Sequence, residues 1–251
     1  NADGVSPVMP LLAEIDTLTR ADLEKYLGRM HTFSSAFFGD GVALDEMDSE
    51  HYLYNIGQGG LGLSRDYYFD TDAKTVQVRE KYRDFMKRQM SNFGIAVDVE
   101  KLYALEERMA KSFYPKEKLR DPHANYHKMS VEQIQDTFPG FDWAVFLAER
   151  GASAAKFINI AQPEAITESI AIMNDTDFEL IKQYLKYCIA TGADTVLDDK
   201  TYDINFDFYN DWINGTIYFP RFMRIVKPKK TFLGITFMRA KIKGCMDDTD
   251  I

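Results

Sequence analysis

Two histidines four residues apart are the first candidate for chemistry in this 251-residue chain. His123 and His127 have the spacing that can place two imidazoles on one helical face, where they could hold zinc. The position after His123 is alanine, whereas a metalloprotease helix of this pattern needs a glutamate there as its general base. Pro122 also places the pair in a loop or a first helical turn, and no third ligand is indicated. We therefore expect a surface or capping pair of histidines here.

The glycines at positions 57, 59, 60 and 62 are a second candidate, because glycine-rich loops can bind phosphates. Such loops need a strand before them, a helix directly after them, and a lysine or an acidic ribose partner. No Gly-Lys-Ser/Thr follows, and residues Ser64–Phe69 do not read as a helix start. The stretch instead predicts close backbone packing and positive φ angles, which glycine tolerates best.

The other reactive side chains form no catalytic pattern. His31 and His51 are isolated in the sequence, so no Ser-His-Asp or Cys-His set is indicated. Cys188 lies in an apolar helix and is expected to be a buried, unreactive thiol. With Cys245 it makes a total of two cysteines, too few for a disulfide framework or a four-thiolate metal site.

Acidic pairs and a glycosylation motif give little further evidence for a functional site. Glu106-Glu107 and Asp247-Asp248 are of a kind common on solvated surfaces, and nothing marks them as a general acid and base. Asn214-Gly215-Thr216 fits the N-glycosylation sequon, which has meaning only in a secretory eukaryotic host. The sequence therefore names no catalytic residue, no metal ligand and no cofactor-binding residue.

Composition is that of a folded globular protein, with 45% hydrophobic and 14% aromatic residues. The net charge of -9 disfavours a nucleic-acid partner, because phosphate binding needs a basic surface. No run of about 18 apolar residues is present, so no transmembrane segment is expected. The start, Asn1-Ala2-Asp3-Gly4, is neither a signal peptide nor an initiator-methionine start, and the chain is expected to begin within a longer protein.

Hydrophobic periodicity predicts a mainly α fold, with many helices and at most a few short strands. Helices are expected to start near Ser6, Thr19, Asp72, Asp98, Ser130, Phe141, Pro163, Thr176 and Asp198. A strand is predicted at 155–160, a turn at Gly39–Gly41 and a further short strand at 42–44. The basic residues of the helix after Asp72 are interpreted as a solvated face, with a partner-binding face as the alternative.

The predicted organisation is one helical domain over residues 1–225, followed by an atypical tail over 226–251. The tail opens with a basic breaker, Lys227-Pro228-Lys229-Lys230, and then mixes apolar and basic residues without clean periodicity.

Several segments together resemble one known family. Gln58-Gly59-Gly60-Leu61-Gly62-Leu63, with the following Asp66-Tyr67-Tyr68, is the most specific of them. The stretches 119–130, 206–215 and 220–224 add to it. These segments resemble the N-terminal region of neprilysin-like and endothelin-converting-enzyme-like zinc metalloendopeptidases.

The resemblance implies a secreted or cell-envelope zinc endopeptidase that cuts peptides of limited size. Two largely helical lobes enclose a cavity in this family, and the zinc lies in the lobe made mostly by the C-terminal half. The resemblance implies that this chain is most of the other lobe, the lid, with the loop from Gly59 to Arg65 in the cavity wall. Peptide substrate would be bound through the missing catalytic lobe. The family's His-Glu-x-x-His motif is absent here, so the chain alone is expected to hold no zinc and to be inactive.

One departure and two rival interpretations accompany the resemblance. After Arg224 the family pattern is expected to stop, which is interpreted as an altered reading frame or a degenerate gene. The first rival is a stand-alone helical module that binds peptides in an aromatic groove. The second is a scaffold domain that forms homo-oligomers through apolar surface that a missing lobe would otherwise cover.

Overall fold

A computed structural model describes residues 3–194 and 196–214 of the chain. Its α-helices are α1 (Met9–Thr17), α2 (Leu23–Met30), α3 (Asp66–Phe69), α4 (Ala73–Asn92), α5 (Val99–Ser112), α6 (Lys116–Leu119), α7 (Val131–Thr137), α8 (Trp143–Glu149), α9 (Pro163–Asp175), α10 (Phe178–Ala193) and α11 (Asp199–Asn205). A π-helix, Phe206–Ile213, follows α11. The strands are β1 (Phe38–Asp45), β2 (Asp48–Gln58), β3 (Lys128–Ser130) and β4 (Phe157–Ile160). The predicted mainly α fold class is confirmed.

The helix ends follow the polar caps and glycines that the sequence offers. Asp72 accepts a hydrogen bond of 3.0 Å from a backbone N–H in the first turn of α4. At the helix start predicted near Ser130, Ser130 and Gln133 form a capping box for α7, each side chain accepting a hydrogen bond from the other's backbone N–H. Gly94 and Gly151 follow helix ends with φ angles of 69° and 71°, a region that favours glycine.

Two expectations about the helices differ from the structure: the capping residue of α10 is not Thr176, and the helix after Asp198 is not one α-helix. Thr176 ends α9, and Asp177 caps α10 by accepting the Glu179 N–H at 2.8 Å. The helix expected to start near Asp198 is an α-helix only as far as Asn205 and continues as a π-helix from Phe206. The wider π-helical turn accompanies ring packing of Phe208, whose ring stacks on Phe85 at 5.2 Å. Helical periodicity alone does not reveal this change of helix type, because α-helical and π-helical turns differ little in spacing.

The described strands form a four-stranded sheet in the order β1-β2-β4-β3. β1 and β2 make an antiparallel hairpin, β2 runs parallel to β4, and β3 is antiparallel to β4. The predicted strand at 155–160 is confirmed as β4. The predicted turn at Gly39–Gly41 is wrong, because these residues lie inside β1 and pair with residues 55–57 of β2.

The described residues fall into two compact units. Unit 1 contains residues 3–18, 62–107 and, apart from 195, 177–214, and it is helical. Its helices α1 and α4 both pack on α10. Tyr82, Phe85 and Phe208 form a run of neighbouring rings with centroids 5.2–6.2 Å apart. These rings form an aromatic part of the unit 1 core, beside aliphatic residues such as Ile15, Met86 and Leu185.

Unit 2 contains residues 19–61 and 108–176, including the whole sheet. Helix α9 packs on the sheet through β2, and α2 packs on α8. Phe38, Phe141, Trp143 and Phe146 form a second cluster of buried rings, with centroids 4.6–6.3 Å apart. The expectation of a single domain over 1–225 stays a prediction.

Some predicted features lie outside the described residues: Gly215 and Thr216 of the sequon, Cys245, Asp247-Asp248 and the tail 226–251. Among the residues that are described, no helix combines the length and hydrophobicity that crossing a bilayer requires.

Candidate functional site

The glycine-rich segment 57–63 contains positions where an added side chain would collide with neighbouring atoms. A Cβ on Gly57 would lie 2.7 Å from the Gln162 Oε1, and a Cβ on Gly59 would lie 2.6 Å from the Gly39 backbone nitrogen. Gly60 has a φ of 89°. These contacts confirm the interpretation of close backbone packing and positive φ. The expectation that no helix starts after the segment is wrong, because α3 begins at Asp66.

In unit 2, two glutamine side chains fix the start of this segment. The Gln58 N–H donates to Gln162 Oε1 at 2.8 Å. The Gln58 side chain accepts the Tyr114 N–H at 2.7 Å and lies 3.4 Å from the Tyr114 carbonyl. Gln162 in turn donates to Asn125 Oδ1 at 2.6 Å. The first half of the segment is therefore held by amide side chains that supply both a donor and an acceptor.

In unit 1, a buried carboxylate holds the end of the segment. The Gly62 N–H donates to Glu106 Oε1 at 3.3 Å. The hydroxyl of Tyr68 donates to Glu106 Oε2 at 2.9 Å, and that of Tyr82 lies 2.8 and 3.0 Å from the two carboxylate oxygens. Tyr187 extends the cluster through a 2.9 Å contact with the Tyr82 hydroxyl. We call this group the Glu106 cluster.

The prediction that Glu106 lies on a solvated surface is wrong. Its side chain is fully buried, and that burial raises the pKa of Glu106 to about 7, although the hydrogen bonds from Tyr82, Tyr68 and Gly62 pull in the other direction. Its place in the apolar rows of α5, four residues after Leu102 and three before Met109, is the sequence signal that could have revealed it.

A second buried ionic group lies in unit 2. The ring Nδ1–H of His31 donates to Asp40 at 2.7 Å, and the Arg150 Nε–H donates to the same carboxylate at 2.7 Å. The Tyr54 hydroxyl also donates to Asp40. Burial alone would raise the pKa of Asp40, but the hydrogen bond from His31 and the charges of His31 and Arg150 outweigh it and lower that pKa. His31, expected to be isolated, is thus part of a buried network.

The other histidines and Cys188, which were candidate metal ligands, have structural or surface positions. The ring Nδ1–H of His127 donates to the Ile160 carbonyl at 3.0 Å, while His123 is exposed at the start of a short 3-10 turn. His51 pairs on the surface with Asp48. Cys188 is buried as predicted, and its burial raises the pKa of the thiol. Within the described residues, no three His, Cys, Asp or Glu side chains are placed to hold a metal ion.

Much of the basic face of α4 is used within unit 1. Arg79 donates to the backbone carbonyls of Tyr67 and Asp70. Arg83 pairs with Glu100, and Arg88 pairs with Asp207 at 3.0 Å. These arginines have partners inside the chain, which agrees with a surface face and not with a free basic patch.

Unit 2 also carries an open pocket of about 480 Å³. It is lined by residues of α7 and α8 and by the loop 153–156, with Glu132 and Lys156 as its charged members. None of residues 59–65 lines it, so it is separate from the loop that the resemblance places in a cavity wall.

The chain matches the model of a known protein family. A family model described as Peptidase family M13 matches residues 1–242. The chain belongs to peptidase family M13. The predicted resemblance to the N-terminal region of neprilysin-like peptidases is thereby confirmed. The M13 match continues beyond Arg224, so the expectation that the family pattern stops there is wrong.

Curated M13 relatives are much longer than this chain. Endothelin-converting enzyme 1 from Bos taurus is 26% identical over 189 residues, which cover 71% of this chain and 25% of the relative. Membrane metallo-endopeptidase-like 1 from Homo sapiens is 30% identical over 147 residues, covering 53% of this chain and 18% of the relative. The chain thus spans about a quarter of the first relative's length.

Solved structures share the fold. The zinc metalloprotease Zmp1 of Mycobacterium tuberculosis in its open state aligns with a TM-score of 0.85 and 23% identity, covering 93% of this chain and 38% of that chain. PepO from Lactobacillus rhamnosis aligns with a TM-score of 0.65 and 15% identity, covering 86% of this chain and 35% of that chain.

Proposed function

We propose that this chain is the non-catalytic N-terminal part of an M13 zinc endopeptidase, the lobe that encloses the cavity and limits the size of peptide substrates. The observation that carries the proposal is the family match over residues 1–242 of a chain that spans about a quarter of a curated relative. The zinc, its activating glutamate and the peptide-cleaving step belong to the rest of such a peptidase. A secreted or cell-envelope location is part of the same proposal.

We expect the purified chain to contain substoichiometric zinc and to show no chelator-sensitive cleavage of a quenched peptide. The physical reason is that hydrolysis by this route needs a coordinated cation and an adjacent carboxylate to activate water, and the sequence contains no His-Glu-x-x-His. Metal analysis and fluorescence assays measure both. Stoichiometric zinc together with chelator-sensitive turnover would contradict the non-catalytic assignment.

The size-limiting role needs a separate test on a longer protein in which this chain precedes an M13 catalytic region. We expect that protein to cleave a short peptide far faster than an unfolded protein containing the same cleavage sequence. Removing residues 1–251 should abolish that preference while the short peptide is still cut. Equal preference with and without this chain would contradict the role of a lid.

A scaffold that forms homo-oligomers is the second candidate, favoured by the outer end of the β1–β2 hairpin. Leu44, Met47 and Tyr52 are exposed there by 52%, 46% and 43%. Neighbouring apolar side chains of this kind can mark an interaction surface. Light scattering would show a dimer that Leu44→Asp converts to a monomer if this candidate is right, and a monomer at all concentrations if it is not.

A further inference from the structure

Glu106 is a buried carboxylate that forms no ion pair with a cation among the described residues. Its side chain is fully buried, and in the described part of the chain its hydrogen bonds come from hydroxyls of Tyr68 and Tyr82 and from the Gly62 N–H. Buried carboxylates usually lie next to a positive charge, because removing an anion from water is costly. Burial of the Glu106 side chain therefore favours the neutral acid and outweighs the hydrogen bonds from Tyr82, Tyr68 and Gly62, which favour the ionised form.

Within the described residues, the titratable groups that interact with Glu106 include Tyr103 of its own helix α5 and Cys188 of α10. α3 contributes Tyr68, α4 contributes Tyr82, α10 contributes Tyr187, and the π-helix contributes Tyr209. Asp194 adds a negative charge that acts on Tyr209. None of these groups carries a positive charge. Arg79 and Arg83 of α4 lower the pKa of Tyr103, but neither is among the groups that shift the pKa of Glu106.

The cluster is attached to the glycine-rich segment by two consecutive backbone groups. The Gly62 N–H donates directly to Glu106, and the Leu63 N–H lies 3.4 Å from the Tyr68 hydroxyl that donates to Glu106. Tyr209 adds a third link, since its hydroxyl donates to the Gly62 carbonyl at 2.9 Å. Opening the cluster would therefore release residues 62 and 63.

We propose that Glu106 acts as a pH-sensitive latch on the glycine-rich segment, closed when its carboxyl is neutral and loosened when the carboxyl ionises. The proposal does not rest on the proposed function, because it concerns unit 1 alone. The folded pKa of about 7 exceeds the ordinary value of 4.5. A carboxyl with a raised folded pKa stabilises the closed state below pH 4.5, and this stabilisation is lost as the pH rises towards 7.

Hydrogen exchange of the full chain tests the latch. We expect the opening equilibrium of residues 62–69 to increase roughly tenfold or more between pH 5 and pH 8, after correction for the intrinsic pH dependence of exchange. Glu106→Gln, which stays neutral at every pH, should abolish the increase. Glu107→Gln removes the same charge from the next residue and should leave it unchanged.

A second variant tests the direction in which the pH midpoint of the transition shifts. Tyr68→Phe removes a hydrogen bond that favours the ionised carboxylate, so the transition should move to higher pH. If Glu106→Gln does not fold, the wild-type chain labelled at the glutamate carboxyl carbon gives the titration of Glu106 directly by NMR. A midpoint near the ordinary value of 4.5, or an exchange increase that persists in Glu106→Gln, would overturn the proposal.

Discussion

Single residues of the glycine-rich segment are fixed by contact distances that can be tested one at a time. Gly62 is the tightest, because a Cβ there would lie 1.9 Å from the Tyr82 hydroxyl oxygen, inside the Glu106 cluster. Gly39 is its opposite: no heavy atom lies within 4 Å of an added Cβ, and its φ is not in the left-handed region. The two glycines form a matched pair for substitution.

We expect Gly62→Ala to lower the free energy of unfolding by about 1–3 kcal/mol, the usual range for overpacking. The added methyl must displace the Tyr82 hydroxyl, which also breaks its hydrogen bonds to Glu106. Urea denaturation followed by circular dichroism measures the change. Gly39→Ala should stay close to wild type, and equal losses in both variants would show that the Tyr82 contact is not the cause.

The sequence predicted the role of the glycines but not their neighbours. Glycine has no Cβ, which is a property of the residue itself, so close packing could be inferred from residue type alone. The hydrogen-bond partners of His31 and Glu106 could not be inferred from residue type. Asp40 and Arg150 are brought to His31 from other elements, separated from it by 9 and 119 residues, and such contacts depend on the tertiary fold.

At the scale of elements, helix starts were predictable because a cap acts within one turn. The capping box of α7 illustrates this, with Ser130 and Gln133 three residues apart. The β1–β2 hairpin was not predicted, although its strands have eight and eleven residues. Glycine inside β1 and polar residues in the first half of β2 obscure the alternation that marks a strand.

We expect Ser130→Ala to lower the free energy of unfolding by about 1 kcal/mol. The substitution removes the hydroxyl that accepts the Gln133 N–H at 3.3 Å and leaves that donor without its cap. Thermal unfolding measures the loss. Thr137→Ala is the control, because its hydroxyl only adds a bond to the Gln133 carbonyl within the same helix. A loss in Thr137→Ala as large as in Ser130→Ala would argue against the capping explanation.

At the scale of the whole molecule, the two units contain buried carboxylates with opposite pKa shifts. Glu106 in unit 1 has a raised pKa, and Asp40 in unit 2 has a lowered one. Stability contributed by Asp40 is present above its ordinary pKa of 3.8 and is lost as the pH falls through the lower folded value. The stability that Glu106 contributes depends on pH in the opposite sense: it is present at low pH and is lost as the pH rises towards 7.

We therefore expect Asp40→Asn to destabilise unit 2 by about 3–5 kcal/mol at neutral pH, because it leaves the buried Arg150 without its carboxylate. Acid sensitivity of unit 2 should also decrease, while the pH response of residues 62–69 stays as in wild type. Hydrogen exchange resolved by segment measures both. Asp48→Asn, on the exposed surface of the same hairpin, should change neither. Loss of protection in residues 62–69 at neutral pH would show that the two networks are not independent.

The placement of Trp143 and Cys188 gives each unit its own spectroscopic reporter without any added label. Trp143 is fully shielded in unit 2, whereas Trp212, the second of the two tryptophans, is 41% exposed. Acrylamide would therefore quench Trp212 first and leave emission that follows the unfolding of unit 2. In a Cys245→Ser variant, a thiol reagent could reach Cys188 only when unit 1 opens. The rate of colour development would therefore report the opening of unit 1 independently of the Trp143 signal.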